Sequence, residues 1–468
     1  MLCSPRVIAV TSDHGKWLLD LPKGTHQVEV IVLHGVLPAG SLERVLDLQA
    51  EQRRAIQFLQ KEAHLPQGRI HVPDGGIRNL LEASIRNMYQ IREAVDGRLQ
   101  FQPGPSVYRG LWMHDLVYTV EAAALLGDLE GARIVLENVL QLQRPDGQIQ
   151  VMPPSFTDGG IHGVNAEYSS VYWSLIAIHQ AIETATWLGR ATEAQQWQTF
   201  FDDFMSSFRR AYARDKRQDA HGHWYLPMRV ADTSRTEVPQ RGQWAPLEAV
   251  FRGGFLDAKD ELVTGTLAIL DDSLKQGITV NTGWLKNGVW PFFDALRGLA
   301  HLWCGHRDQA VDVLYAFANH ASSLGTWVEE QHPQDVGNRT AGDASNASAS
   351  AFYSVLLRHL LVSERENQME LCAGVPADWL APNSKIELDH VPTELGPLTL
   401  RVHVADDGRT ASILVLPLHS SKPSNKIVLM LQAFKQKGYV TKDGRTLPDV
   451  MRLDSNREFR IELKRDNI

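Results

Sequence analysis

The sequence has few cysteines, no excess of basic charge and no long apolar run. Its three cysteines, Cys3, Cys304 and Cys372, lie far apart and form no CxxC pair, so they predict neither a disulfide framework nor a zinc site. The net charge of −8 over 468 residues argues against a nucleic acid or an anionic membrane as partner. No segment has the length that spans a bilayer, and the N-terminus lacks the pattern of a secretory signal. We therefore expect a cytoplasmic protein that uses no cofactor and no metal.

Tryptophan is the residue type that stands out. Several of the twelve tryptophans lie in segments that also contain glycine, proline and acidic residues, rather than in apolar runs. An indole face covers the apolar C–H face of a sugar ring while polar neighbours bind its hydroxyls. The pattern is typical of a carbohydrate site, and packing at helix ends is the alternative.

The hydrophobic pattern changes twice along the chain. Runs such as "RVIAVT" and "KWLLDL" predict a few strands in residues 1–38, and helical spacing then continues over 39–364. Residues 365–468 alternate between apolar and polar side chains, with "DDG" and "KDG" as turns, which predicts an antiparallel β domain. Within the helical part, helices are predicted near residues 79–94, 113–126, 129–143, 166–188, 191–213, 245–272, 289–304, 307–321 and 346–361.

The predicted helices come in pairs, and their connections alternate between short polar turns and long loops. If the hairpins form a ring, the long loops share one rim, where a functional site is expected. Segments that combine aromatic and acidic residues, or that have the glycine and small residues of a ligand site, are 108–115, 158–173, 230–244, 281–293, 325–335 and 340–352. Such a site suits glycoside hydrolysis, which needs one protonated and one ionised carboxyl group. The sequence contains no GxSxG elbow and no glycine-rich phosphate loop after a strand.

Three parts of the sequence carry a family resemblance. "RGLWMHDLVYTVEAAALLGD" is similar to the second-helix entrance of the six-hairpin glycosidases, the group of α-L-rhamnosidases, glucoamylases and processing α-glucosidases. "GTWVEEQHPQD" followed by "GDASNASASAF" resembles their closing stretch, and "VPTELGPLTLRVHV" resembles the β-sandwich of rhamnosidase-like members. The resemblance implies a mainly α fold. It consists of an (α/α)6 toroid at 39–364, a C-terminal antiparallel β-sandwich at 365–468, and at 1–38 the remnant of a β-module.

The resemblance also implies an activity and a substrate site. It implies an inverting hydrolase that removes a terminal sugar from an oligosaccharide or glycoside, either α-L-rhamnosidase-like or α-glucosidase-like. Asp115 would bind sugar hydroxyls, with Arg109 and His114 holding the sugar in place. The remaining predicted substrate-binding residues are Trp112, His162, Trp244, Trp284, Trp290 and Trp327.

The catalytic base is predicted within "WVEEQHP", where only one of two adjacent carboxylates is expected to face the site. The glucoamylase pattern places the base before a glutamine and selects Glu330, which we take as the base. The processing-glucosidase pattern places the base close behind the tryptophan and favours Glu329.

The general acid is the point where the sequence departs from the rhamnosidases. They place an acidic residue immediately before the arginine of the second-helix motif, and here Tyr108 occupies that position. The candidates that remain are Glu167, Glu237 and Asp232. Two other functions stay open: a sugar epimerase or polysaccharide lyase on a similar toroid, and a carbohydrate-binding protein that has lost its acid. No oligomeric state is predicted.

Overall fold

The structure is a computed structural model, and it describes twelve stretches of the chain. They are residues 2–3, 9–13, 16–20, 30–31, 48–61, 65–95, 97–141, 166–232, 238–251, 254–365, 368–418 and 426–466. The chain divides into two compact units, Met1–Leu65 and Pro66–Ile468. Among the helices of these stretches, none combines the length and the apolar character needed to cross a membrane.

The first unit contains the short strands that the sequence predicts near the N-terminus. They are β1 (Leu2–Cys3), β2 (Ala9–Asp13), β3 (Lys16–Asp20) and β4 (Val30–Ile31), followed by helix α1 (Leu48–Lys61). Strands β2 and β3 form an antiparallel hairpin, and β1 pairs with β4.

The second unit contains the remaining helices. They are α2 (Gly75–Gln90), α3 (Met113–Leu126), α4 (Leu129–Leu140), α5 (Tyr168–Trp187), α6 (Ala191–Asp215), α7 (Ala245–Phe251), α8 (Glu261–Asp271), α9 (Pro291–Trp303), α10 (Arg307–Asn319), α11 (Ala347–Leu361) and α12 (Gln432–Gln436), with a short 3₁₀ helix at Ala377–Leu380. The prediction of one helix over 245–272 is wrong. Gly254 has a left-handed φ of 62°, and the side chain of Asp260 accepts a hydrogen bond from the Leu262 amide, which starts α8 as a separate helix.

The helices pack as antiparallel hairpins, with α3 against α4, α5 against α6, and α9 against α10. Helix α5 also contacts α7, α7 contacts α9, α9 contacts α11, and α11 contacts both α2 and α3. Every residue of α11 is buried. The small side chains Ala347, Ser348, Ala349 and Ser350 at its start allow neighbouring elements to approach closely.

The described strands of the second unit form four two-stranded pairs and two larger sheets. They are β5 (Ile70–His71), β6 (Glu93–Val95), β7 (Arg98–Gln100), β8 (Arg217–Gln218), β9 (Trp224–Tyr225), β10 (Leu274–Lys275), β11 (Ile278–Thr279), β12 (Glu330–Gln331), β13 (Thr340–Ala341), β14 (Val362–Arg365), β15 (Gln368–Leu371), β16 (Lys385–Val391), β17 (Leu398–Val404), β18 (Thr410–Val415), β19 (Lys426–Met430), β20 (Tyr439–Thr441), β21 (Val450–Leu453) and β22 (Phe459–Arg465).

The larger sheet has the strand order β20-β22-β18-β17-β16-β5 and is antiparallel throughout. In β17, Leu400 and Val402 are buried while Arg401 and His403 are exposed, so the predicted alternation is confirmed there. The second sheet, β14-β15-β19-β21, differs from the predicted antiparallel domain because β15 and β19 run parallel. Strand β5, which comes immediately before α2 in sequence, forms one edge of the larger sheet.

Candidate active site

A buried aspartate fixes the loop that precedes α3. The carboxylate of Asp343 accepts hydrogen bonds from the backbone amides of Ser106 (3.2 Å), Val107 (2.9 Å) and Tyr108 (2.9 Å). Burial opposes ionisation, but these bonds and one from the Ser106 hydroxyl hold the pKa of Asp343 below its ordinary value. Gly104 lies so close that an added Cβ would be 2.1 Å from the carboxylate. The loop is therefore held against the turn before α11.

This anchoring places the hydroxyl of Tyr108 beside Glu329. The hydroxyl donates a hydrogen bond of 2.6 Å to Oε2 of Glu329. Gly342, with φ of 76°, brings the backbone so close that a Cβ there would lie 2.6 Å from the Glu329 side chain. The edge of the Trp112 ring packs against the Tyr108 ring, with centroids 5.5 Å apart. Tyr108 occupies the position where the rhamnosidases place an acid, and here it contacts the carboxylate of Glu329.

Asp115 lies in the first turn of α3 and is not the N-cap of that helix. The N-cap is Trp112, whose side chain forms no capping hydrogen bond. The Oδ1 atom of Asp115 accepts a hydrogen bond of 2.6 Å from the hydroxyl of Ser348, near the start of α11. The carboxylate of Asp115 therefore faces α11. Capping of α3 does not explain why an aspartate occupies this position.

His114 belongs to a buried hydrogen-bonded chain that the sequence analysis missed. Its Nε2 lies 2.7 Å from the hydroxyl of Tyr118, and that hydroxyl donates to Oε1 of Glu248, 3.2 Å away. Tyr118 and Glu248 are both buried. Since Tyr118 follows His114 by four residues on one helix, the i, i+4 spacing could have indicated this contact. Glu248, on α7, has no comparable signal in the sequence.

These groups meet around one small cavity. Its enclosed volume is about 20 Å³, and the surrounding empty space, which includes open solvent, is about 340 Å³. Among the described residues, its lining is Tyr108, His114, Asp115, Trp290, Phe292, Phe293, Glu329 and Asn346. Trp244 stacks on the outer face of Phe293 at 3.6 Å between centroids. Segments 108–115, 281–293, 325–335 and 340–352 therefore converge on one place.

Glu330 lies behind this cavity and does not line it. Its side chain is 0% exposed, and its Oε2 accepts hydrogen bonds from the backbone amides of Trp284 (2.7 Å) and Leu285 (2.9 Å). A Cβ on Gly283 or Gly288 would lie 2.6 Å from Oε1. Burial raises the pKa of Glu330 from 4.5 to about 7, although the two amides favour its ionised form.

The raised pKa predicts how stability depends on pH. Between about pH 4.5 and 7 the folded protein keeps a proton on Glu330 that the unfolded chain releases, so the free energy of unfolding falls as pH rises. The loss is at most about 3.5 kcal/mol, since each pKa unit between 4.5 and about 7 corresponds to about 1.4 kcal/mol. We expect Glu330→Gln to remove this part of the pH dependence, measured by denaturant unfolding at about pH 5 and about pH 7.5. Glu458→Gln, which removes a surface carboxylate, is the control. Equal pH dependence in all three proteins would contradict the buried position of Glu330.

Several predicted binding residues lie away from the cavity lining. Arg109 is 63% exposed and pairs with Glu93. Trp327 is 1% exposed, and its Nε1 donates to the carbonyl of Phe317, so it is a core residue. The guanidinium of Arg241 covers the ring of Trp284 at 3.2 Å.

The predicted acids occupy different positions. Glu167 is buried at the start of α5 and accepts a hydrogen bond from the Ser169 hydroxyl. Asp232 is partly buried, and its carbonyl accepts a hydrogen bond from Arg217. Neither is among the residues that line the cavity. Glu237 and His162 lie outside the described residues.

The helical hairpins and the C-terminal sheets form a fold that is also found in a solved α-L-rhamnosidase structure. The chain is similar to the structure of Streptomyces avermitilis α-L-rhamnosidase complexed with L-rhamnose. The TM-score is 0.52 at 12% identity, over 84% of this chain and 42% of that one. At this identity the likeness shows a shared fold.

Two further glycosidase structures are similar with lower scores. A bacterial glucoamylase complexed with acarbose has a TM-score of 0.49 at 14% identity, over 67% of this chain and 59% of that chain. A glycosidase in complex with glucose has a TM-score of 0.45 at 14% identity, over 62% of this chain and 99% of that one. No protein-family model and no curated protein matches the sequence.

Proposed function

We propose that the protein is an inverting glycoside hydrolase that removes a terminal sugar from an oligosaccharide or glycoside. We also propose that its hairpins close into an (α/α)6 ring and that its C-terminal sheets form a sandwich. The observation that carries the proposal is the meeting of two carboxylates, Asp115 and Glu329, at one aromatic-lined cavity. Glu329 is proposed as one of the two catalytic carboxyl groups that glycoside hydrolysis requires, and Asp115 as a substrate ligand beside it.

Glu329 is proposed as the base that activates water. Its carboxylate lines the cavity, and the hydrogen bond from Tyr108 favours the ionised form that a base needs. The sequence selects Glu330 instead, but that carboxylate is bound to two backbone amides behind the cavity. We therefore exchange the two roles, so that Glu330 fixes the segment carrying Glu329.

Asp115 and His114 are proposed to bind sugar hydroxyls, with Trp290 and Phe293 covering the apolar face of the ring. The Tyr118 hydroxyl would hold the imidazole of His114 in a fixed orientation.

The general acid is proposed to come from the predicted set of Glu167, Asp232 and Glu237. The boundaries predicted at 38/39 and 364/365 stay proposals as well.

The rhamnosidase likeness makes a terminal α-L-rhamnoside the first substrate to test, with an α-glucoside second. The protein would be incubated with a panel of nitrophenyl glycosides, and the anomer released would be read by NMR. Release of the inverted anomer from one of them is the expected result. Sugar binding without release from any substrate would point instead to a binding protein.

A sugar epimerase is the second candidate, because His114 lines the cavity beside the Tyr118 hydroxyl. An epimerase would release no nitrophenol and would instead interconvert free sugars. Incorporation of solvent deuterium into a monosaccharide would distinguish it from a hydrolase.

Replacing Asp115 with Asn is expected to lower kcat/KM by about 10- to 100-fold. The change keeps the shape of the side chain but removes a charged hydrogen bond to substrate, which contributes about 1.5–3 kcal/mol. The control is Asp128→Asn, because Asp128 caps α4 by accepting from the Gly131 amide and does not line the cavity. We expect that variant to keep its kcat/KM and, because asparagine caps a helix about as well as aspartate, most of its stability. If Asp115→Asn behaves like Asp128→Asn, the substrate role of Asp115 is wrong.

A further inference from the structure

A second cluster of ionisable side chains lies at the hairpin of β8 and β9, in the turn "DAHGH" of residues 219–223. Nδ1 of His223 is 3.1 Å from Oδ2 of Asp219 and 3.6 Å from Oδ2 of Asp272, the residue after α8. One potential ligand atom from each of the three residues lies within 4.8 Å of the others. Nδ1 of His221 is 3.2 Å from the same Oδ2 of Asp272. Two imidazoles and two carboxylates thus meet between the hairpin and α8.

The turn holds the Asp219 carboxylate in a defined orientation. Its Oδ1 accepts hydrogen bonds from the backbone amides of His221 (2.9 Å) and His223 (2.8 Å). Gly222 has a left-handed φ of 89°, a conformation that glycine adopts without strain. With Oδ1 bound to these amides, Oδ2 is directed toward the His223 ring. Hydrogen bonds of this kind orient the ligands of protein metal sites.

Hydrogen bonding accounts for only part of this arrangement. An imidazole Nδ1–H can point at one acceptor, and the contact of 3.1 Å with Asp219 has the length of a hydrogen bond. The approach of Asp272 to 3.6 Å is too long for a second one. By contrast, a tetrahedral ion with bonds of about 2.0–2.2 Å places its ligand atoms about 3.3–3.6 Å apart. Within the cluster, the separations of 3.1 Å between His223 and Asp219 and of 3.6 Å between His223 and Asp272 are close to that spacing.

We propose that Asp219, His223 and Asp272 bind a Zn²⁺ ion, with solvent completing its coordination. Imidazole nitrogen favours zinc over magnesium or calcium, which prefer all-oxygen sites. Asp272 and His221 are 45% and 63% exposed, which gives the ion a path from solvent. The sequence alone does not indicate this site, because the turn contains no cysteine and Asp272 is distant from it along the chain.

The role of the ion is structural. None of its ligands lines the cavity that contains Asp115 and Glu329. The ion would join the turn of one hairpin to the C-terminal end of α8, two elements that are separate in sequence. Zinc bound to the folded protein and not to the unfolded chain raises the midpoint of thermal unfolding. The proposal does not depend on the proposed glycosidase activity.

The test is a calorimetric titration of the full chain with zinc chloride, after removal of metal with a chelator. We expect one Zn²⁺ per chain and a higher thermal midpoint with zinc than without. His223→Ala and Asp272→Ala are each expected to weaken zinc binding by more than about 10-fold, the lower end of the loss found even for outer-shell partners. Asp219→Asn is avoided because that carboxylate also orders the turn.

His390→Ala is the matched control, because His390 and Asp389 form an exposed surface pair with Nδ1 and Oδ1 2.9 Å apart. It should bind zinc like the original protein. Absence of zinc binding would overturn the proposal. A zinc affinity in His223→Ala and Asp272→Ala equal to that of the original protein would overturn it as well. Magnesium chloride titrated under the same conditions should bind far more weakly. Equal binding of magnesium would rule out the imidazole as a ligand.

Discussion

Glu329→Ala is expected to reduce hydrolysis of the preferred nitrophenyl glycoside by on the order of 10²–10⁴-fold, the usual contribution of a general base. Sodium azide is expected to restore turnover with inverted product, because the small anion can occupy the space of the lost carboxylate and its water. The physical reason lies in the site. Glu329 lines the cavity and accepts the hydrogen bond of Tyr108, so its removal opens the place from which water would attack.

The adjacent glutamate is the matched control. Glu330→Gln keeps a side chain that can accept from the Trp284 and Leu285 amides, and it should retain most of the activity. Azide should have no effect on it, nor on Glu330→Ala. If azide rescues Glu330→Ala and not Glu329→Ala, the base is Glu330, as the sequence motif indicates. If azide rescues neither, the base lies outside this segment.

Asp343→Ala is expected to lower the free energy of unfolding by about 2–4 kcal/mol. The substitution leaves three backbone amides and the Ser106 hydroxyl without their acceptor, and buried donors that lose a partner cost about 1–3 kcal/mol each. Loop amides that reach water recover part of that cost, so the sum stays below the maximum. Urea unfolding near neutral pH measures the effect.

Activity should fall in the same variant, because the loop positions Tyr108 against Glu329. Asp407→Ala is the control, since Asp407 accepts a hydrogen bond from the Arg409 amide in the exposed turn between β17 and β18. It should change stability by less than about 0.5 kcal/mol, as surface substitutions usually do. Equal destabilisation by both substitutions would show that the Asp343 bonds do not hold the loop.

Much of the helical architecture could be predicted because apolar residues recur at helical spacing. The prediction of 113–126 matches α3, and 129–143 extends α4 by only a few residues. The break between α7 and α8 was missed because the apolar pattern continues through a segment where the backbone turns. Strand β5 was missed because two residues carry no detectable period, and its pairing partner β16 is distant in sequence.

The candidate site was predicted in part. His114, Asp115 and Trp290 could be predicted as site residues because their segments combine aromatic and polar residues near helix starts. All three line the cavity. Which of the adjacent glutamates faces the cavity depends on the backbone direction before β12, and the sequence does not encode that locally. Trp327 illustrates the opposite error, because a tryptophan beside acidic residues can still be a core residue.

Partners distant in sequence account for the rest. Glu248 and Asp343 contact the site only because α7 and the turn before α11 approach α3 and the loop that precedes it. A pattern read along one segment contains no signal for such contacts. They became visible only once the packing of the helices was known.

The position of β5 limits how the molecule can be divided. Ile70 and His71 pair with Leu388 and Glu387 at the edge of the larger sheet. A fragment that begins at residue 365 would lack this strand and expose the hydrogen-bonding groups of β16 as an open edge. Open edges recruit other strands, so such a fragment would tend to self-associate. The sheet and the helices would therefore have to be inherited, or exchanged between proteins, as one piece that includes the chain before α2.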